Sequence, residues 1–251
     1  MISRYVAFVL LLAAAACGRT RDEPAISSGG DASDTAAAPA PTGATPTVVF
    51  VGTSLTAGLG LDPAQAYPAL LQAKIDSTGL RYRVVNAGVS GETSAGALRR
   101  IDWVLRDHPA VLVIETGAND GLRALSPDSL EANLQAMIDR AKRSTPSPTI
   151  VLIGMEALPN FGPAYGRQFR RIYPDIARKN DLPLVPFLLA GVAGVDSLNQ
   201  ADGMHPTAAG QRIVAGTVWK TLKPILEKRV QASPRTSPSS ATALSTSSSV
   251  L

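Results

Sequence analysis

The sequence predicts an α/β fold built on a central parallel sheet, and three observations predict it. Short apolar runs alternate with longer stretches of helical period, the pattern of strands joined by crossover helices. The first three runs exit directly into polar, glycine-bearing segments, as strands of such a sheet do where a ligand sits beyond their carboxyl ends. Both ends of the 251-residue chain differ in composition from the middle, which leaves one globular unit with enough chain for a sizeable core.

Taken in order, the chain opens on MISR, which is positively charged, followed by YVAFVLLLAAAA, an apolar stretch too short to span a bilayer comfortably and ending in small residues. Residues 1–17 read as a secretory signal. Cys17, the single cysteine, closes that stretch; intrachain disulfides and a zinc-binding cysteine cluster are therefore excluded. Its position resembles the lipobox of bacterial lipoproteins, with Ala14 where a leucine is usual. That resemblance implies a lipid anchor at Cys17, an exported protein and a place in the cell envelope, periplasmic or membrane-attached. Residues 18–46 are rich in Ala, Pro, Gly, Ser and Thr without apolar periodicity, the composition of a flexible linker. Residues 231–251 repeat that composition and are expected to be disordered.

Between these tails, residues 47–230 form the expected domain. Strands are expected at TVVFV (47–51), RYRVVNA (81–87), AVLVIE (110–115), TIVLIG (149–154) and LPLVPF (182–187). Helices are expected over 64–79, 93–108, 126–143 and 164–180, the third starting at Ser126-Pro127, a capping side chain followed by a residue of fixed φ. A last helix is expected from Pro206 to about Lys228, with Gly210, Gly216 and Pro224 weakening its continuity. The formal net charge of +4 comes from scattered lysines and arginines with no basic block interleaved with aromatics, so nucleic acid is not an expected partner.

The chemistry-bearing residues follow the strands. Ser54, in GTSLTAGLG, is either a solvated turn hydroxyl or a nucleophile on a rigid strand end; the second reading needs an imidazole and an orienting acid. Of two histidines, His108 ends a helix at the opposite edge of the sheet and reads as structural. His205, in ADGMHPTAAG, has Asp202 three residues earlier, a spacing that lets the carboxylate reach Nδ1 while Nε2 faces Ser54. Backbone N–H groups of Ser54 and Gly88, with the Asn119 side chain, are candidate oxyanion donors. Alone, His205 reads better as a surface residue of a capping turn and Asn119 as a turn residue bonding its own backbone; only the joint presence of all four segments favours chemistry.

GTSLTAG (52–58), NAGVSG (86–91), GAND (117–120) and DGMHP (202–206) resemble, in order, the sequence blocks of the SGNH hydrolases, also called GDSL esterases and lipases. Within that family the chain is similar to the branch of thioesterase I, lysophospholipase and arylesterase. The resemblance implies a flavodoxin-like three-layer α/β/α fold and hydrolysis of carboxylic esters, thioesters or lysophospholipids through an acyl-enzyme, with no cofactor and no metal. It implies Ser54, Asp202 and His205 as catalytic triad and Ser54, Gly88 and Asn119 as oxyanion hole. Thr53 stands where the family usually has Asp, a change expected to alter local hydrogen bonding more than activity. Asn86 and Asp120 are candidate supports of the site or turn and capping residues, and Leu122, Leu158, Phe161 and Tyr165 read equally as walls of an acyl pocket or as an ordinary hydrophobic layer. A carbohydrate deacetylase would share the catalytic set, and a non-catalytic binding lipoprotein could share the fold. No GxSxG elbow, dinucleotide fingerprint, P-loop or HExxH motif occurs.

Overall fold

In a computed structural model, the described residues are 44–232. Cys17, the signal, most of the linker and the tail from 233 onward lie outside the described residues. Strands β1 (Thr47–Gly52), β2 (Arg83–Gly88), β3 (Val111–Glu115), β4 (Thr149–Ile153) and β5 (Leu184–Val185) form one all-parallel sheet in the order β2-β1-β3-β4-β5. Apart from Thr47 at its start, β1 is buried throughout, and β3 is wholly buried. This is why both read as unbroken apolar runs rather than alternating ones. β2, an edge strand, is only half covered.

Helices α2 (Tyr67–Ser77) and α7 (Ala208–Ala232) pack together, while α3 (Ser94–Leu105), α5 (Pro127–Arg143) and α6 (Gly162–Asn180) pack in sequence as a second layer. Together with the sheet they make the three-layer sandwich expected from the motifs. Two short helices, α1 (Ser54–Ala57) and α4 (Ala118–Leu122), follow β1 and β3 directly; at four and five residues they carry no periodic signal. The fifth strand is shorter than its apolar run implied, because Pro183 and Pro186 flank the two residues that pair.

The last helix is continuous over 25 residues despite Gly210, Gly216 and Pro224, and it extends past Lys228 to Ala232. Buried Val214, Val218, Leu222 and Leu226 line its inner face, so tertiary packing overrides the weak local propensity.

β1 lies between β2 and β3, and the chain leaves β1 toward β2 before crossing back to β3. This is a topological switch point, and the carboxyl ends of β1, β2 and β3 there carry Ser54, the 89–93 loop and Asn119 on one rim.

Candidate active site

Ser54 is the first residue of α1, immediately beyond the extended Thr53. The turn is held from beneath by Glu115, the last residue of β3 and fully buried. Glu115 Oε2 accepts the Thr53 N–H at 2.8 Å, the Thr53 hydroxyl at 3.1 Å and the Thr56 hydroxyl at 2.7 Å. Since Thr56 gives its proton to Glu115, the buried Tyr67 hydroxyl donates to Thr56 Oγ1 at 2.7 Å. A Cβ on Gly52 would lie 2.7 Å from Glu115 Oε2 and 2.5 Å from Thr56 Cβ, so only glycine lets the strand end close over this cluster. Burial pushes the Glu115 carboxyl up to about 7, the hydrogen bonds opposing it in part.

His205 reaches the same rim from the loop before α7. Its Nε2 is 2.9 Å from Ser54 Oγ, and its Nδ1 is 2.6 Å from Asp202 Oδ2. With Nδ1–H donating to the carboxylate, Nε2 is left to accept the serine proton. Asp202 Oδ1 accepts the backbone N–H groups of Met204 at 2.9 Å and His205 at 3.0 Å. The backbone N–H of His205 is the largest influence holding the Asp202 carboxyl down at about 2, followed by that of Met204. The three-residue spacing therefore does two things: it folds the loop into a turn on the carboxylate and aims the ring. Gln200 Nε2 donates to Leu59 O at 2.7 Å and to Pro206 O at 3.0 Å, and Gln211 Oε1 accepts the Tyr67 N–H at 2.9 Å. These bonds lock the histidine loop onto the segments flanking Ser54.

Asn119, in α4, is buried at the same opening. Its neighbour Asp120 accepts the Ser94 N–H at 2.8 Å and the Ser94 hydroxyl at 2.6 Å, and Arg123 donates to Gly91 O at 3.0 Å. Asp120 thus ties α4 to the start of α3, and Arg123 ties it to the β2–α3 loop. Asn86 bridges β2 to α1, donating to Thr56 O at 2.9 Å.

The expectation for Gly88 needs correcting. Its N–H already donates to Asn86 Oδ1 at 3.0 Å, and a Cβ there would lie 2.4 Å from Ala57 N. Gly88 is required for close packing of β2 on α1, and its donor is engaged. Gly91, in the same NAGVSG block, has φ +78, no side chain against its missing Cβ closer than Arg123 Nη2 at 3.9 Å, and an N–H with no acceptor among the described residues.

A cavity of about 380 Å³ opens beside Ser54, His205 and Asn119, walled by Ala118, Leu122, Met155, Ala157, Leu158, Phe187, Leu189 and Met204. Leu122 and Leu158 are where the sequence implied. Phe161 and Tyr165 are not: they belong to a ring ladder along α6, Phe161–Tyr165–Phe169–Tyr173, with successive centroids 5.7, 6.0 and 6.0 Å apart, and the Tyr165 hydroxyl donates to Leu125 O. Helical spacing of aromatics here signals packing. His108 is exposed in the turn before β3, at the opposite edge from Ser54. Among the described residues no group of three His, Cys, Asp or Glu is arranged to hold a metal ion. Glu115 escaped the sequence reading, although a charged residue ending an otherwise apolar strand was a visible signal.

The sequence pattern of the GDSL-like lipase/acylhydrolase family matches residues 50–213, the span that contains all of these groups. The chain belongs to this family. The SGNH/GDSL hydrolase is 45% identical over 181 residues to the esterase TesA of Pseudomonas aeruginosa, covering 72% of this chain and 89% of that protein. It is 35% identical, over 72% of this chain and 85% of the other, to the thioesterase 1/protease 1/lysophospholipase L1 of Escherichia coli. Among solved structures, the psychrotrophic esterase EstA from Pseudoalteromonas sp., inhibited by monoethylphosphonate, superposes with a TM-score of 0.68 at 32% identity, covering 72% of this chain and 98% of that one. This SGNH/GDSL hydrolase is an enzyme, a serine hydrolase acting on ester bonds. Among the described residues no helix is long and apolar enough to cross a membrane.

Proposed function

We propose that Ser54, His205 and Asp202 are the catalytic triad of an acyl-transfer hydrolase whose substrates carry an apolar acyl chain. Ser54 Oγ attacks the ester or thioester carbonyl carbon while its proton passes to His205 Nε2; Asp202 fixes the tautomer and stabilises the imidazolium. The tetrahedral intermediate collapses as Nε2–H protonates the departing alcohol or thiol, leaving an acyl-enzyme on Ser54. Water attacks that ester with His205 again as base, and the carboxylic acid leaves. The oxyanion is received by the Ser54 N–H, the Asn119 side chain and, in the role first read for Gly88, the Gly91 N–H, each donor contributing roughly a hundred- to a thousandfold.

The observation that carries this reading is the 2.9 Å contact between Ser54 Oγ and His205 Nε2, with Asp202 on the far nitrogen, at the mouth of an apolar cavity. Apolar walls favour a fatty acyl group over an acetylated carbohydrate, which a site would recognise through polar groups. The relatives' names, an esterase and a thioesterase/lysophospholipase, support carboxylic esters, thioesters and lysophospholipids as the class. For residues 1–46 we propose export, lipid attachment at Cys17 and a tether to the cell envelope, supported by the sequence pattern; intact mass of the mature chain tests it. The catalytic reading is tested with Ser54→Ala on p-nitrophenyl butyrate: kcat is expected to fall by about 10⁴-fold or more with the fold intact. A variant that keeps wild-type turnover overturns it.

A further inference from the structure

Glu115 is a buried carboxyl that the triad chemistry does not use. No hydrogen bond joins it to Ser54, yet every bond it accepts comes from the two residues that frame the nucleophile's turn. Thr53 supplies its N–H and its hydroxyl, and Thr56, one residue from the end of α1, supplies its hydroxyl. A second tier fixes the carboxyl from below, where Tyr67 donates to Thr56. Gly52 leaves the room in which this cluster closes, and Ser54 follows without a flexible residue between.

We propose that Glu115, acting through Thr53 and Thr56, is the positioning residue that sets the direction of Ser54 Oγ and of the Ser54 N–H toward the acyl carbon. The Thr53–Ser54 peptide has an N–H that must serve the oxyanion, while the preceding peptide's N–H is consumed by Glu115. Rotating the turn would cost the buried Thr53 N–H its only acceptor, so one orientation is held before substrate arrives. Burial raises the carboxyl's pKa while the hydrogen bonds from Thr53 and Thr56 oppose the rise, as donors aimed at a carboxylate do.

This inference rests on Ser54 being the nucleophile, and the test separates the two. Full-length wild type, Glu115→Leu, Glu115→Gln and Thr53→Val are titrated with a fluorophosphonate to count reactive serines, then assayed for kcat and KM on p-nitrophenyl butyrate. Labelling of wild type at Ser54 secures the nucleophile; labelling elsewhere sinks the parent reading whatever Glu115 does. Glu115→Leu is expected to lower kcat per titrated site about a hundredfold with KM within about threefold. Glu115→Gln, which keeps an acceptor for Thr53, is expected to recover turnover to within about tenfold of wild type. Should Glu115→Leu fail to fold, Thr53→Val carries the test, with a fall in kcat of roughly fivefold or more at unchanged KM expected. Wild-type kcat per titrated site in a folded Glu115→Leu protein, or in Thr53→Val, overturns the proposal, as does a Glu115→Gln variant as damaged as Glu115→Leu.

Discussion

At the scale of single residues, the site depends on which groups hold protons. In the proposed triad the Asp202–His205 pair works only if Nδ1 carries the hydrogen, and the carboxylate that accepts it is kept ionised down to about pH 2, mainly by the His205 backbone N–H. Asp202→Asn should therefore leave binding near normal and lower kcat by about 10³- to 10⁴-fold, read by steady-state kinetics on a short ester. Glu115 acts in the opposite direction. The unfolded chain releases its proton near the ordinary glutamate value, while the native carboxyl keeps it to about 7. Between those values the native state binds more protons, so stability falls as pH rises from about 4.5 to 7, by on the order of 3 kcal/mol from this group. Tyr67 and Tyr173 are the titratable groups facing it, both pushed up first by burial and second by its charge, and neither ionises in that window. Urea titrations at pH 5 and 8 should show the loss in wild type and its near-absence in Glu115→Gln.

Elements are placed by close approaches that only small residues allow. Gly210 lies in α7, where alanine would ordinarily gain about 1 kcal/mol in helix propensity. A Cβ there would sit 2.3 Å from Leu198 O, in the segment that leads to the histidine loop. The clash outweighs propensity, and Gly210→Ala should destabilise by roughly 1–3 kcal/mol. Gly216, in the same helix with nothing within 4 Å of its missing Cβ, should respond oppositely, Gly216→Ala gaining about 0.5–1 kcal/mol. Equilibrium denaturation of the pair measures both signs on one helix. The two glycines look alike in sequence; only what lies opposite each separates them.

For the whole molecule, the sandwich positions an apolar cavity against Ser54 at the switch point of the sheet. Its walls come from segments after β3, β4 and β5 as well as the histidine loop, so acyl recognition belongs to the assembled rim and to no single element. Each methylene buried there contributes about 0.8 kcal/mol at most, or up to about fourfold in kcat/KM. A p-nitrophenyl series from acetate to octanoate should rise by two- to fourfold per methylene before it levels off where the cavity ends. A maximum at acetate would remove the fatty-acyl assignment and favour deacetylation.

The motifs already pointed to the candidate residues. GTS and GAND mark Ser54 and Asn119, because a turn beyond a parallel strand needs small residues and chemistry there needs polar ones, while DGMHP marks Asp202 and His205 in the loop before α7. Strands β1, β3 and β4 were legible because runs buried on both faces must be continuously apolar. Three matters were left to the assembled chain. Gly88 and Gly91 share one block, and only the engagement of the Gly88 N–H by Asn86 tells them apart. Phe161 and Tyr165 have the composition of a pocket wall, but the direction of α6 turns them into a ring ladder. Glu115 lies 62 residues from Thr53, and its bond to the turn that carries Ser54 exists only because β1 and β3 pair. Local spacing fixes local geometry; contacts between distant segments depend on which strands become neighbours, and that is decided when the sheet forms.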